Sequence, residues 1–476
     1  MINTTKIIVL DDDPTGAQTV HGCLLLTRWD VATLKEALAD TAPLFFVLTN
    51  TRGMDAKRAA DVTREVCRNL KTALKTMAIN PVLVSRSDST LRGHYPVETD
   101  VIAEELGPFD AHFLVPAFFE GGRITRDSIH YLKVNGVNVP VHETEFARDS
   151  VFGYSHSFLP DYVAEKTQGR IAAHSVERFL LADIRSGGSS CASLHPLHLG
   201  ILPGVLNRLL ALKDNQCGVV DAENYDDLER FTADVRAAAA QGKRFLFRSA
   251  ASLVKALANL PPQPVSAEAM GRFTRAAQGR AHAKGSASAV GGRSRHPASR
   301  DTSASMYVAG SAGTAGGRPG AVIVGSHVEK SSRQLARLLQ EPGVVGIEVD
   351  VQKVAQQREN LLQAVLQQIN VIHAAGKTSV VYTSRGEVQF ADQAARLAFG
   401  EAVSALLMDV IRNLPQDLGF LIGKGGITSN DMLSSGLALR AARVLGQVAP
   451  GVSVVRCPAD HPRFPELPVV IFPGNV

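Results

Sequence analysis

The strongest constraint in this sequence is a rhythm: short apolar runs, each opening at once onto a polar loop, recur along most of its length. Before residue 260 they read KIIVL (6–10), LFFVL (44–48), PVLVS (81–85), HFLVP (112–116), CGVVD (217–221) and RFLFR (244–248). After residue 320 they read AVIVG (321–325), VVGIEV (344–349), TSVVYT (378–383), GFLIG (419–423), VSVVR (452–456) and PVVIF (468–472). Between them lie stretches such as DVTREVCRNLKTALKTM (61–77), whose apolar residues fall at spacings of three and four, and long helices are expected near Val351 to Ala375 and Ala391 to Asn413. Buried strands alternating with helices predict α/β architecture with mainly parallel sheets. In such sheets ligands bind beyond the carboxyl ends of the strands, so the expected fold is two α/β domains with their sites at those ends, facing the cleft between the domains.

The division into two follows from a change of composition. Residues 276–320 are rich in Gly, Ala and Ser with almost no bulky apolar side chains, too little to offset the entropy of ordering them. The expected organisation is a first domain over 1–265, a linker over 266–320 and a second domain over 321–476. The linker also explains the charge. The chain carries +4 with a pI near 8.8, but between Arg280 and Gly320 six basic residues face one acidic residue, leaving the remainder at −1. No nucleic-acid or membrane partner is therefore expected. Five cysteines (Cys23, Cys67, Cys191, Cys217 and Cys457) contain no C-x-x-C pair, and no apolar run approaches the roughly 18 residues of a spanning helix, which points to a cytoplasmic protein.

Four loops after consecutive strands are unusually polar. They are Asp11-Asp12-Asp13-Pro14-Thr15-Gly16, Thr49-Asn50-Thr51-Arg52-Gly53, Arg86-Ser87-Asp88-Ser89-Thr90-Leu91-Arg92-Gly93-His94 and Ala117-Phe118-Phe119-Glu120-Gly121-Gly122-Arg123. Guanidinium forks suit a carboxylate and Asp or Ser suit hydroxyls, so the set fits a small hydroxylated anion. Capping of a helix by Asp88-Ser89-Thr90 is the plainer reading of that one loop. Three adjacent aspartates after a buried strand repel one another unless a metal ion, an arginine or a proton compensates. Two chemistries are open for them. D-x-D-x-T fits a haloacid-dehalogenase-like phosphatase with Asp11 as nucleophile, Asp13 as acid/base and Thr49 on the next strand; alternatively an aspartate takes a proton from a substrate hydroxyl while another domain brings ATP.

In the second half, Gly423-Lys424-Gly425-Gly426-Ile427-Thr428-Ser429-Asn430-Asp431 follows GFLIG, with a helix expected from about Asp431. Glycines admit phosphate oxygens to backbone N–H groups, although the Walker A spacing is absent. Gly325-Ser326-His327, Thr383-Ser384-Arg385 and Pro473-Gly474-Asn475 follow neighbouring runs and are expected beside it. His94, His112, His130 and His142 lack metal-ligand spacing and read as core or surface histidines; no metal-ligand set is assigned.

At LDDDPTGAQTV (10–20), SRSDSTLRGHYPVETD (85–100), the stretch from Val115 to Ser157 and GKGGITSNDMLSSGLALR (423–440), the sequence resembles the four-carbon acid sugar kinase family. The resemblance implies an N-terminal sugar-binding domain, a C-terminal nucleotide-binding domain, and ATP-dependent phosphorylation of threonate, erythronate or 3-oxo-tetronate at a hydroxyl, the terminal one where the product is defined. It implies Asp12, Asp13, Gln18, Arg52, Arg86, Asp88, Ser89, Arg92 and Gly93 on the substrate side, with Arg123 added because it lies in the matched stretch. Ser326, Gly423, Gly425, Gly426, Thr428, Ser429 and Gly474 fall on the nucleotide side, with ATP and Mg²⁺ as cofactors. The expected mechanism seats the substrate carboxylate on Arg52 and Arg92 and makes Asp12 or Asp88 the base. Pro14 departs from the family's D-D-[FL]-T-G-A, the linker is longer than usual, and relatives continue past the position of Val476, from which an incomplete nucleotide site is expected. A binding or effector protein of the same fold is the non-enzymatic alternative, and a homo-oligomer is left open.

Overall fold

The computed structural model describes residues 4–186, 204–266, 318–327, 329–385, 390 and 393–474; the expected linker lies almost entirely outside them, as does Cys191. The chain divides into two compact units, Met1–Pro264 with Arg440–Gly446, and Val265–Leu439 with Gln447–Val476.

The first unit is built on β1 (Thr4–Asp11), β2 (Leu24–Leu26), β3 (Leu44–Leu48), β4 (Ile79–Arg86), β5 (Ala111–Val115), β6 (Arg123–Arg126), β7 (Ile129–Val134), β8 (Val137–Pro140), β9 (Glu177–Phe179), β10 (Gln216–Val220) and β11 (Phe245–Ser249). Its main sheet runs β2-β3-β1-β4-β11-β5-β10-β9, every neighbouring pair parallel. β1 is paired on both sides and covered on both faces, which is why Ile7, Ile8, Val9 and Leu10 form an unbroken apolar run instead of alternating with polar residues. The helix Ala56–Leu74 is capped by Asp55, whose side chain accepts from the Arg58 N–H, and it buries Ala59, Thr63, Val66, Cys67, Leu70 and Ala73 along one stripe. Truncating Leu70 in that stripe to Ala would cost about 2–5 kcal/mol.

Two features escaped the sequence reading. Residues 441–443 lie antiparallel to β2, Ala441 opposite Leu26 and Arg443 opposite Leu24, with Arg440 paired to Glu36 at 3.0 Å and Arg443 to Asp40 at 2.7 Å. A strand from late in the sequence thus completes the edge of the first unit. Secondly, β6, β7 and β8 form a separate antiparallel sheet. Its hairpins turn at Asp127-Ser128 and Asn135-Gly136, all with positive φ. Asn-Gly between β-rich runs is the usual signal for such a turn and was present in the sequence.

The second unit carries β12 (Ala321–Val324), β13 (Val344–Val349), β14 (Thr378–Thr383), β15 (Leu421–Lys424), β16 (Ala441–Ala449, shared with the first unit), β17 (Val452–Arg456) and β18 (Pro468–Phe472). The order β13-β14-β12-β15-β18 is parallel, and β17 joins β18 antiparallel. The long helices span Val354–Ala374 and Gln393–Arg412. The helix expected from about Asp431 begins instead at Gly426, immediately after β15. In both units the chain lays its first four strands in the order second, third, first, fourth, so the winding reverses beside the first strand. Such switch points are where α/β sheets open a crevice at their carboxyl ends. No helix among the described residues is long and apolar enough to cross a membrane.

Candidate functional site

In the first unit the switch point lies between the loops after β1 and β4, which brings the three aspartates against Arg86, Ser87 and Asp88. Each aspartate is compensated differently. Asp11 is fully buried; its Oδ1 accepts from Arg86 Nη1 at 3.0 Å, whereas Oδ2 has no partner among the described residues and lies under Gly16, where a Cβ would sit 1.9 Å away. Burial pushes this carboxyl up to about 7 against the pull of Arg86, and the charges of Asp12 and Asp13 add to the rise. The nucleophile of the phosphatase-like reading is therefore sealed from solvent. Asp12 is gripped by Arg52, Nη2 on Oδ1 and Nε on Oδ2 at 3.2 Å, and Oδ2 also accepts from Ser87 Oγ at 2.5 Å. Asp13 caps the turn at Pro14–Ala17, accepting from Thr15 N at 2.9 Å and Oγ1 at 2.5 Å, and reaches Arg52 Nη1 at 3.3 Å. Burial would raise its carboxyl, but Arg52, Arg86 and Thr15 outweigh burial and hold it below the ordinary value.

Asp88 does not cap a helix: the next one begins at Val97. Its Oδ2 accepts from Arg92 Nε at 2.7 Å and from Thr90 Oγ1. Against the effect of burial, Arg92, Arg52 and Thr90 hold this carboxyl well below the carboxylate range. Arg92 also meets Asp149 at 3.5 Å and stacks over Phe146. Arg52 and Arg92 thus already serve protein carboxylates, so a substrate anion placed on them shares their donors.

The loop 87–93 is held with unusual completeness. His130 Nε2 donates to Ser89 O at 2.8 Å, Tyr154 to Thr90 O at 2.7 Å and Tyr162 to Leu91 O at 2.8 Å. Since Ser89 O can only accept, the proton of this buried ring is on Nε2, and Nδ1 accepts from Thr125 Oγ1 at 2.9 Å; burial lowers its pKa to about 4, keeping the ring neutral. The small antiparallel sheet and the segment after it supply these donors, a role for His130 that sequence spacing did not show. Three consecutive carbonyls are fixed while Leu91 and Gly93 hold φ of 65° and 124°. A Cβ on Gly93 would fall 2.3 Å from Ser87 Oγ and 2.7 Å from Arg248 Nη2.

Arg248 and Glu98 carried no sequence signal, since RFLFR reads only as strand. Arg248 Nη1 donates to Glu98 Oε2 at 2.6 Å and to Ser85 Oγ at 2.7 Å, and Glu98 Oε1 accepts from Thr51 at 2.5 Å. Gln18 is buried, and its Oε1 has no hydrogen-bond partner among the described residues. Arg123 is buried over Phe118, donates to Gly121 O, and lies within the electrostatic reach of Asp88 and Arg92.

In the second unit the loops after β12, β15 and β18 converge. Gly425 (φ 117°) donates its N–H to Phe472 O at 2.9 Å, a Cβ there would lie 3.1 Å from Ser326 Cβ, and Ser331 Oγ reaches both Ser326 Oγ at 3.0 Å and Gly474 O at 3.2 Å. Gly325 packs so closely on Thr428 that a Cβ would sit 2.2 Å from Oγ1. The helix from Gly426 opens with N–H groups that lack acceptors inside it. Two of the predicted nucleotide residues are used otherwise. Ser429 is fully buried and donates to Gly423 O at 3.1 Å, and Gly423 is a packing glycine against Met432. Lys424 is buried under the Phe472 ring with Nζ donating to Pro473 O at 2.5 Å; burial, and secondly Lys330, push its amine down to about 7.

Residues 7–257 match the family model of a sugar-binding N-terminal domain, and residues 321–476 that of a nucleotide-binding C-terminal domain. A D-erythronate kinase of Heliobacterium modesticaldum is 30% identical over 193 residues, 39% of this chain and 40% of that protein. A D-threonate kinase of Bordetella bronchiseptica is 29% identical over 160 residues, 32% of this chain and 37% of that protein. Each match therefore spans less than half of the relative's own length. Among solved structures, a Salmonella typhimurium LT2 protein superposes with a TM-score of 0.62 at 17% identity, covering 99% of this chain and 96% of that one. A Haemophilus influenzae protein gives 0.55 at 16% identity, covering 98% and 96%. These two likenesses concern the fold alone. With both domain models matched in order along one chain, the protein belongs to the four-carbon acid sugar kinase family.

Proposed function

We propose that this protein is an ATP-dependent kinase acting on a four-carbon sugar acid of the threonate, erythronate or 3-oxo-tetronate type, at a hydroxyl and by preference the terminal one. The observation that carries the reading is that one chain holds two switch points of complementary chemistry. The first is an acid–arginine cluster suited to a hydroxylated anion, and the second a glycine–hydroxyl loop opening a helix, suited to phosphates.

Asp12 is the base in this reading. Asp11 is sealed under Gly16, and a carboxylate held as low as Asp88 is a poor proton acceptor. Arg52 and Ser87 fix the direction of the Asp12 oxygens, and Asp13, Arg86, Ser89, Arg92, Gly93 and Arg123 shape the surrounding wall. Ser326, Gly425, Gly426, Thr428 and Gly474 line the nucleotide loop, with Gly423 and Ser429 supporting it from beneath. Phosphoryl transfer asks mainly for positioning and charge stabilisation, which rigid pairs of this kind supply. Among the described residues no group of three or more His, Cys, Asp or Glu side chains is placed to hold a metal, and the aspartates after β1 are taken up by arginines. Mg²⁺ would accordingly be carried by the nucleotide phosphates, neutralising their charge, with most of its ligands oxygen atoms of phosphate and water.

The test is ADP release, measured with D- and L-erythronate, D- and L-threonate and 3-oxo-tetronate. ADP formed only when one of these acids is present supports the kinase. Binding of an acid without ADP formation would leave a binding protein of the same fold, and phosphate release without nucleotide would favour the phosphatase.

A further inference from the structure

Beneath the loop 87–92 the first unit holds a small cleft of about 20 Å³, room for one water-sized group such as a hydroxyl, whose lining includes Ser87, Asp88, Arg92, Arg248 and Ser249. Four of these five are committed to protein partners through their side chains. Ser249 is not: its residue is 3% exposed, its Oγ is buried, and that hydroxyl has no hydrogen-bond partner among the described residues. Its backbone is fixed, the carbonyl accepting from Ser87 N at 2.8 Å at the carboxyl end of β11, where the strand pairs with β4 and β5. A buried hydroxyl in a rigid wall with nothing to bond is costly, and such atoms are rare unless a ligand or water completes them.

We propose that Ser249 is a sugar-acid contact, its Oγ exchanging a hydrogen bond with one hydroxyl of the substrate. The inference rests on the sugar-acid reading above. A substrate hydroxyl can both donate and accept, which is what a serine hydroxyl needs, and the neighbouring wall is otherwise electrically closed: Arg248 is neutralised by Glu98, and Arg92 by Asp88. Ser249 therefore reads hydroxyl configuration instead of binding the carboxylate. A site built to bond a hydroxyl discriminates against analogues lacking it, because its own polar group is then left unpaired. Gly93 keeps this wall accessible, since a side chain there would strike Arg248 Nη2 and Ser87 Oγ.

The experiment is calorimetric titration of wild type, Ser249→Ala and Ser249→Thr with D-erythronate, D-threonate and their 2-, 3- and 4-deoxy analogues, without nucleotide. KM for ATP and thermal midpoints are recorded for each variant. Ser249→Ala is expected to weaken the preferred acid about fivefold, the effect of one neutral hydrogen bond, and Ser249→Thr to recover part of the loss. One deoxy analogue should bind wild type and Ser249→Ala equally, identifying the hydroxyl that Ser249 meets, while KM for ATP stays unchanged. Equal affinity of wild type and Ser249→Ala for every acid would overturn the assignment and leave the kinase reading intact. Failure of the wild type to bind any of the acids would overturn both.

Discussion

Arg52 closes on Asp12 from two sides, Nη2 against Oδ1 and Nε against Oδ2 at 3.2 Å, while its remaining nitrogen reaches Asp13 at 3.3 Å. One guanidinium thereby neutralises two of three adjacent aspartates. Arg86 pairs with the third, whose carboxyl burial pushes up to about 7. The cluster is stable because it is built as fixed forks, and the same forks orient the carboxylate offered as base.

Asp12→Asn keeps the shape and removes the proton acceptor. Turnover is expected to fall by about 10² or more, with affinity for ATP within about twofold of wild type, in steady-state kinetics combined with nucleotide titration. Undiminished kcat would show that another group takes the proton.

Gly93→Ala places a methyl 2.3 Å from Ser87 Oγ at a φ of 124°. Backbone strain alone should cost about 1–3 kcal/mol, seen as a lower midpoint in chemical denaturation, with a higher KM for the acid. Gly22→Ala is the control, because its φ is 74° and nothing lies within 4 Å; it should lose stability without altering KM.

Tyr162→Phe leaves the buried Leu91 carbonyl without its donor at 2.8 Å. Loss of about 1–3 kcal/mol is expected. Because Leu91 holds a positive φ that its neighbours enforce, the acid KM should rise as well, whereas the ATP KM should not. Tyr154→Phe, which frees Thr90 O, should act in the same direction; unchanged KM in both variants would show that the loop keeps its shape without them.

The pH dependence of stability follows from Asp11, which titrates at about 7 in the folded protein against 3.8 ordinarily. A raised carboxyl pKa means that its contribution is complete below about pH 4, where both states are protonated. As pH climbs toward 7 the unfolded chain sheds a proton that the folded chain retains, so the folded state is progressively disfavoured. Asp11→Asn has no such proton. The difference in thermal midpoint, wild type minus Asp11→Asn, should therefore fall between pH 4 and 7 and level off above about 8; a difference independent of pH would refute the assignment.

The strands of both sheets were legible because burial on two faces demands unbroken apolar runs, and each run found lies within a residue or two of a strand. The short strands β2 and β9, the segment pairing with β2 from residue 441 and the small antiparallel sheet were missed, since they are short or alternate with polar residues. The polar loops at the switch points were legible as well, through the density of Asp, Arg and Gly. Their internal assignments were not. Asp88 reads equally as a cap or a ligand until the start of the following helix is known, and Ser429 equally as a phosphate contact or a buried brace until its place inside the helix Gly426–Asp431 is known.

The order of residues by itself determined that alternating buried strands and helices would form, and that acids and arginines would crowd one set of strand ends while glycines crowded another. Only the tertiary structure decided which charge answers which, because partners such as Arg52 and Asp12, or Arg248 and Glu98, are separated by 40 and 150 positions along the chain. A buried charge is tolerable only against a partner at hydrogen-bonding distance, and that distance is set by strand order and register, which local pattern does not encode. The same holds for Ser249: its hydroxyl becomes conspicuous only when every neighbour in the cleft is seen to be satisfied.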